Sequence, residues 1–254
     1  MFSVRLRFAA FGLGVLLLPA VLIGSGQTDL QNLGKLAMIL GPAVLGNALA
    51  WGLKTERPAL RPSEILRAAI ITLAIVLSAT ATALILGKAH LGGLSPTPQA
   101  VATAMAGSGL TSVLEELGWA AGGLTLARQA LGPRLGVLGL GAIWALWHLV
   151  PVHFRIGLFP DLETAPPAMI AAFIAACLVY RALLTRLCDC AGSWLGAAAG
   201  HAAPNIVMAG LIAGGLGGWS GSWWAFPAPG GLIFLALAAG ALIWVSRARF
   251  QPAS

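Results

Sequence analysis

The stretch Leu114-Glu115-Glu116-Leu117-Gly118-Trp119 places two adjacent carboxylates inside an otherwise apolar segment. The whole chain has only eight acidic residues. A carboxylate in hydrocarbon costs roughly 2.5–3.5 kcal/mol on insertion scales, so two of them would offset much of what an apolar span gains. We therefore expect the fold to bring polar partners to this pair. Few other polar groups lie at depth: His148 in Trp144-Ala-Leu-Trp-His148, and His201 with Asn205 in His201-Ala-Ala-Pro-Asn205.

The composition is that of a polytopic membrane protein. The 254-residue chain is 58% hydrophobic and 9% charged, whereas soluble domains carry about a quarter charged residues. The net charge of +7 comes from basic residues scattered singly between apolar runs, so we expect a lipid bilayer as partner and no nucleic acid. The cysteines at 177, 188 and 190 form neither a disulfide framework nor a zinc pattern, and we interpret them as structural.

Apolar runs predict the fold class, an all-α membrane helix bundle that forms one integral membrane domain over residues 1–254. Runs of about 17 to 25 residues can cross a bilayer, and eight of them fall near 8–24, 33–53, 65–87, 98–121, 135–151, 168–186, 193–214 and 230–246. The first follows Arg5 and Arg7, a layout shared with signal peptides. Because the next loop leads straight into another apolar run, we expect a retained helix.

The loops predict the orientation, because lysine and arginine concentrate on the cytoplasmic side. With eight spans and the amino terminus inside, twelve basic residues fall in inner segments: Arg5, Arg7, Lys54, Arg57, Arg61, Arg67, Arg128, Arg134, Arg181, Arg186, Arg247 and Arg249. Only Lys35, Lys88 and Arg155 fall outside. A miscounted span would move every later loop to the other side. We expect both termini in the cytoplasm and a multi-pass protein of the cell inner membrane, with a composition that looks bacterial.

Counting along the chain predicts that the buried polar groups share one depth. Each group lies 13 to 15 residues from an inner arginine, as counted from Glu115 to Arg128, from Arg134 to His148 and from Arg186 to His201. At 1.5 Å per helical residue these counts correspond to about 20 to 22 Å. Pro204 has no N–H to donate to the Gly200 carbonyl, so that oxygen should be free beside His201.

These residues suit the hydrolysis of an amide inside a membrane. A carboxylate such as Glu115 near His148 can take a proton from water and so produce a nucleophile. His201 and Asn205 lie one helical turn apart and could donate hydrogen bonds to an oxyanion. The alternative is that Glu115, His148 and His201 bind zinc with an open position for water, although no His-Glu-x-x-His signature occurs.

The three motifs resemble those of the CPBP intramembrane proteases, the family of CAAX prenyl proteases and bacteriocin-processing enzymes, also called Abi proteins. The family pattern is Glu-Glu-x-x-x-Arg, Phe-x-x-x-His and His-x-x-x-Asn on successive membrane helices, and the match covers roughly residues 98–210. The resemblance implies an eight-helix protease. Both metal-dependent and metal-free accounts exist for the family; we favour a glutamate-activated water that requires no cofactor, with zinc as the alternative. The resemblance assigns water activation to Glu115 with His148, oxyanion stabilisation to His201 with Asn205, and a supporting role to Glu116.

Two positions depart from the family pattern. Trp144 replaces phenylalanine, which exchanges one aromatic residue for another. Ala120 stands where the family has arginine, so Glu116 lacks its expected partner. Three consequences are open: a protonated Glu116, pairing with Arg128 through a helix break, or a catalytically weakened member of the family.

Other functions remain open from the sequence. The same residues could form a structural polar network, or serve a membrane regulatory or immunity protein without turnover. A proton-coupled transporter would also use buried Glu and His, but the chain has no evident repeat or paired broken helices. The predicted partner is a peptide or membrane-protein substrate. Prenylated tails, bacteriocin leaders and membrane proteins in turnover are all compatible with the sequence.

Overall fold

The protein is a helix bundle in this computed structural model, which describes residues 3–53, 59–92, 97–219 and 221–247. The helices are α1 (Val4–Gly24), α2 (Thr28–Ala50), α3 (Pro62–Ile85), α4 (Pro98–Glu116), α5 (Leu124–Leu131), α6 (Pro133–His153), the short α7 (Pro160–Glu163), α8 (Pro167–Ala191), α9 (Trp194–Ala213) and α10 (Leu232–Arg247). A π-helix, Leu117–Gly123, joins α4 to α5. One 3-10 turn, Trp223–Ala225, and a pair of two-residue strands, β1 (His90–Leu91) and β2 (Leu216–Gly217), complete the described elements.

The predicted all-α membrane fold is confirmed. Within the described ranges, six helices are long and apolar enough to cross a membrane: α1, α2, α3, α6, α8 and α9. The other two predicted spans correspond to α10, which is apolar but has 16 residues, and to α4 with the π-helix and α5. The chain is therefore a multi-pass membrane protein by length and composition of its helices.

Hydrogen bonds show that successive long helices run in alternating directions. At one end of the bundle, which we call the basic end, the Arg7 side chain donates to the carbonyls of Leu49 and Trp51 at 3.2 and 3.1 Å. At the same end the Arg61 amide donates to the Ala191 carbonyl at 2.9 Å. Arg67 of α3 lies over the ring of Trp244 near the end of α10, at 5.1 Å. The described starts of α1 and α3 and the ends of α2, α8 and α10 therefore lie together.

The opposite end, which we call the loop end, gathers the remaining connections. Strand β1 pairs with β2 in antiparallel register, which joins the α3–α4 and α9–α10 connections. The Trp219 indole donates to Asp161 at 3.0 Å, and Gly24 at the end of α1 packs against Phe154 after α6. The basic residues predict an alternation of this kind for eight spans, and that count and its orientation stay predictions. Of the residues used for that prediction, Lys54, Arg57 and Arg249 lie outside the described ranges.

The π-helix after the two glutamates is held by α2. A Cβ atom at Gly118 would lie 2.2 Å from the Pro42 carbonyl carbon, and one at Gly122 would lie 2.3 Å from that of Gly46. Only glycine therefore permits this approach of two backbones. The Asn47 amide donates at 2.8 Å to the Leu117 carbonyl, a group that the widened helical turn could leave unpaired. Helix α2 thus fixes the segment that immediately follows Glu115 and Glu116.

Candidate active site

Arg181 supplies the partner that the sequence seemed to lack for Glu116. Its guanidinium donates to both carboxylate oxygens, from Nη1 to Oε2 at 2.7 Å and from Nη2 to Oε1 at 2.9 Å. The two side chains are only 1% and 0% exposed. Such a bidentate, charge-assisted pair fixes both groups in position and orientation. The prediction that Arg181 is an inner-surface residue is therefore wrong, because it lies in the interior of the bundle.

Arg128 is not the partner of Glu116. Its guanidinium instead makes two hydrogen bonds to the Asp189 carboxylate near the end of α8, at 2.8 and 2.7 Å. This pair is about one third exposed, at 33% and 35%. Ala120, four residues after Glu116, is a buried residue of the π-helix. The positive charge beside Glu116 therefore comes from α8 and not from its own helix.

Glu116 also holds His201. The histidine Nδ1 lies 2.9 Å from Glu116 Oε1. Since a carboxylate oxygen accepts, Nδ1 carries the proton, and Nε2 is the nitrogen left for another partner. Glu116 therefore ties together one residue from each of α4, α8 and α9.

Trp144 connects the other two predicted catalytic residues. Its indole Nε1 donates to Glu115 Oε2 at 3.3 Å, and its backbone carbonyl accepts from His148 Nδ1 at 2.8 Å. The Arg181 guanidinium lies over the indole ring, 4.2 Å from its centroid, at cation–π distance. Glu115 and His148 are thus linked through Trp144. A phenylalanine at position 144 could not make this bond, because it has no N–H to offer to Glu115.

Asn205 is positioned by α4. Its side-chain amide donates to Ser112 Oγ at 2.9 Å, and its backbone carbonyl accepts from Ser108 Oγ at 3.1 Å. One N–H of the amide group therefore remains for a ligand. Asn205 lies one turn after His201 on the same face of α9, as the spacing predicts.

The Gly200 carbonyl takes the hydrogen bond that Pro204 cannot give. The Tyr180 hydroxyl donates to this oxygen at 2.8 Å, and both groups are buried. The sequence predicts a free oxygen here, whereas the structure pairs it with Tyr180. This bond ties α9 to α8 beside His201.

A cavity of about 440 Å³ opens beside these residues. Its polar lining comes from α4, α6, α7, α8 and α9: Ser108, Trp144, His148, Asp161, Tyr180, His201 and Asn205. Loop-end residues of the α6–α8 and α9–α10 connections form the other walls, among them Phe159, Leu162, Phe226 and Pro229. The volume falls in the range of small-molecule and peptide side-chain sites.

Glu115 is the carboxylate whose bonds leave it free to react. It is 6% exposed, and Oε2 accepts the one hydrogen bond that a described residue gives it, from Trp144. Oε1 is left for water. Glu116, by contrast, already accepts three hydrogen bonds from Arg181 and His201. The two neighbouring glutamates therefore differ in what they can do, as their separation of about 100° around the helix predicts.

No metal cluster is formed among the described residues. No three His, Cys, Asp or Glu side chains of those ranges are arranged to hold an ion. The alternative zinc ligands Glu115, His148 and His201 instead bond to Trp144 and Glu116.

Arg181, Ser112 and Tyr180 are the site residues that sequence reasoning missed. Arg181 carried a signal, because it lies inside the predicted span 168–186 and an ionisable residue within a span is a functional candidate. Ser112 and Tyr180 carried no such signal beyond their polarity.

No protein-family model matches the chain, and a search of curated proteins finds no similar sequence.

Proposed function

We propose that the protein is an intramembrane endopeptidase of the CPBP type that hydrolyses a peptide bond with a water activated by Glu115. The observation that supports this most is that residues of two motif segments, His148, His201 and Asn205, line one cavity. Glu115 of the third motif does not line it but accepts a hydrogen bond from Trp144, which does. A polar cluster beside a mostly apolar cavity is the usual arrangement of an enzyme site.

In the proposed reaction, Glu115 Oε1 takes a proton from a water molecule. The proton on His148 Nδ1 is directed to the Trp144 carbonyl, so Nε2 accepts the water's second hydrogen and orients it. The hydroxide attacks the carbonyl carbon of the substrate and forms a tetrahedral oxyanion. Glu115 then gives its proton to the departing amine, the C–N bond breaks, and a new carboxyl terminus and amine are released.

His201 and Asn205 stabilise the oxyanion in this scheme. The free N–H of the Asn205 amide donates to it, and His201 donates from Nε2 when its ring is doubly protonated. The Glu116 carboxylate at 2.9 Å from Nδ1 stabilises that positive charge. Arg181 is then a positioning residue, since it holds Glu116 and packs over Trp144, which holds Glu115.

The proposal includes an eight-span topology with both termini in the cytoplasm. Helix α4, the π-helix and α5 follow one another without interruption and form one crossing. Helix α10 has 16 residues, which rise about 24 Å. If the basic end is cytoplasmic, the cavity opens toward the outer face.

Cysteines introduced at Gly26 and Ser222 should react with a membrane-impermeant thiol reagent on intact cells, whereas one at Arg134 should not. The reverse pattern would reject this orientation. The three native cysteines are buried.

The activity is tested by comparing membrane proteomes. Cells with the wild-type protein are compared with cells carrying Glu115→Ala, His148→Ala or His201→Ala, at matched amounts of inserted protein. We expect the same uncut substrates to accumulate in all three variants. Retained cleavage in Glu115→Ala would reject the mechanism. Asp189→Asn, a change at the partly exposed pair outside the site, serves as the control and should cleave normally.

A second function, that of a regulatory membrane protein without turnover, is favoured by one observation. The Glu116–Arg181–His201 cluster is fully buried and joins three helices, which is also what a purely structural network would do. Such a protein would bind its partner equally well after Glu115→Ala, and no uncut substrate would accumulate.

A further inference from the structure

Apart from the motif residues, much of the cavity wall is apolar and aromatic. Phe159, Phe173, Phe226 and Phe234 line it together with aliphatic residues of α9 and of the loop end. Three of these rings, at 173, 226 and 234, are themselves buried in the bundle. A bulky apolar side chain placed among them would gain the free energy of leaving water, about 25 cal/mol per Å² of buried apolar area.

The charges on the cavity lining also restrict which ligands can bind. Among the described residues that line the cavity, none is lysine or arginine, and Asp161 is the acidic one. Arg181 is close by, but both of its terminal nitrogens are bonded to Glu116. A ligand carboxylate would therefore meet no lysine or arginine on the lining, and the one histidine to which the proposed mechanism gives a positive charge, His201, is already paired with Glu116, so its burial in an apolar site is costly.

Asp161 is placed to meet a positive charge. It lies at the loop end on the lining of the cavity, and it is partly exposed. The Trp219 indole donates to Oδ1 at 3.0 Å, which orients the carboxylate and leaves Oδ2 without a bond from a described residue. Its neighbour Glu163 is engaged differently, because it accepts from the Gly157 amide at 2.7 Å and does not line the cavity.

We propose that the cavity binds an internal apolar stretch of a peptide that carries a basic residue on its flank, with the basic group beside Asp161, and that it disfavours a free C-terminal carboxylate. The cleavage of such a peptide rests on the proposed function, but its binding does not. The substrate class is therefore an apolar segment with a positively charged flank, cut away from its carboxyl end.

The test measures binding separately from cleavage. Three fluorescent peptides share one core of Leu, Phe and Ala: one has a lysine flank and an amidated end, one a glutamate flank and an amidated end, and one an uncharged flank and a free acid. Their affinity for the full-length Glu115→Gln protein in detergent micelles is measured by anisotropy, with protein-free micelles as the blank. We expect the lysine peptide to bind about tenfold more tightly than the glutamate peptide, and the free acid to bind weakly.

Asp161→Asn keeps an oxygen for Trp219 and removes the charge, so it should bring the two amidated peptides within about twofold of each other. Glu163→Gln should leave the preference intact. Raising the salt from about 0.1 to 1 M should also reduce the preference, because the group is partly exposed. Equal binding of all peptides, tighter binding of the free acid, or a preference that survives Asp161→Asn would overturn the proposal. Binding as expected, without cleavage by the wild-type protein, would uphold it and reject the endopeptidase instead.

Discussion

Arg181 is the residue whose removal should disturb the site most. Both its guanidinium and the Glu116 carboxylate are excluded from solvent, at 1% and 0% exposure. Removing one member of a buried pair leaves the other charge uncompensated, which costs about 3–5 kcal/mol. Arg181→Met should therefore lower the free energy of unfolding by about that amount. The pair of Arg128 with Asp189 has the same two-bond geometry but is about one third exposed, so Arg128→Met should cost about 1 kcal/mol or less.

A double variant separates the structural role of Arg181 from its role in activity. In Glu116→Leu with Arg181→Met both charges are replaced by apolar side chains, so the protein should be more stable than Arg181→Met alone by about 2 kcal/mol or more. We expect Arg181→Met to lose cleavage. The double variant should lose it as well, because His201 Nδ1 then has no carboxylate acceptor. Unfolding is followed in detergent micelles, and cleavage by the accumulation of uncut membrane proteins.

Two results would refute this reasoning. If Arg181→Met and Arg128→Met lower the free energy of unfolding equally, the buried pair contributes no more to stability than the partly exposed pair. If the double variant regains cleavage together with stability, the Glu116–Arg181 pair acts only in packing, and His201 needs no positioning by a carboxylate.

Three further substitutions test neighbouring contacts. Gly122→Ala places a Cβ 2.3 Å from the backbone of α2 and should destabilise the protein by about 1–3 kcal/mol. Gly41→Ala, whose Cβ meets nothing within 4 Å, should be neutral or slightly stabilising. Equal effects of the two variants in unfolding experiments would contradict the close packing. Tyr180→Phe leaves the buried Gly200 carbonyl without its donor and should cost about 1–3 kcal/mol in the same assay, so an unchanged stability would argue against that bond. Trp144→Phe keeps an aromatic ring but removes the N–H given to Glu115, and should slow cleavage about tenfold. Faster cleavage would show that this bond restrains Glu115.

The helices were predictable because apolar length determines what can cross a bilayer. Helices α1, α3, α6 and α9 begin and end within four residues of the predicted runs. Helix α2 begins at Thr28 rather than near residue 33, because polar residues in its first turns interrupt the apolar run without breaking the helix. Helix α8 likewise continues five residues beyond the predicted run, to Ala191.

The π-helix could not be read from the sequence. The fourth run, 98–121, was predicted as one α-helix, whereas α4 ends at Glu116 and the turn widens over Leu117–Gly123. What favours the wider turn lies on another helix: the backbone of α2 packs against Gly118 and Gly122, and Asn47 bonds to the Leu117 carbonyl. Contacts between residues about 70 positions apart are invisible to a local pattern.

The sequence predicted which residues belong to the candidate site better than it predicted which of them bond to one another. The motif spacing predicted which residues share a face of one helix, because residues four apart project from the same side. The structure places His148, His201 and Asn205 on one cavity and bonds Glu115 to Trp144 beside it. The partner of Glu116 was missed because the positive-inside rule counted Arg181 among the loop residues. From the sequence, a single arginine near the end of a predicted span is interpreted as an interfacial residue. Only the structure shows that Arg181 points into the bundle.

The central claim is that Glu115 activates water to cut a peptide bond, and it is tested most directly with purified protein in proteoliposomes. A membrane protein that accumulates uncut in cells carrying Glu115→Gln is added to the wild-type protein and to the variant, whose thermal unfolding should match. We predict that the wild-type protein releases the fragment and that Glu115→Gln does so at least about 100-fold more slowly. Fragment release by the variant at the wild-type rate would contradict the account.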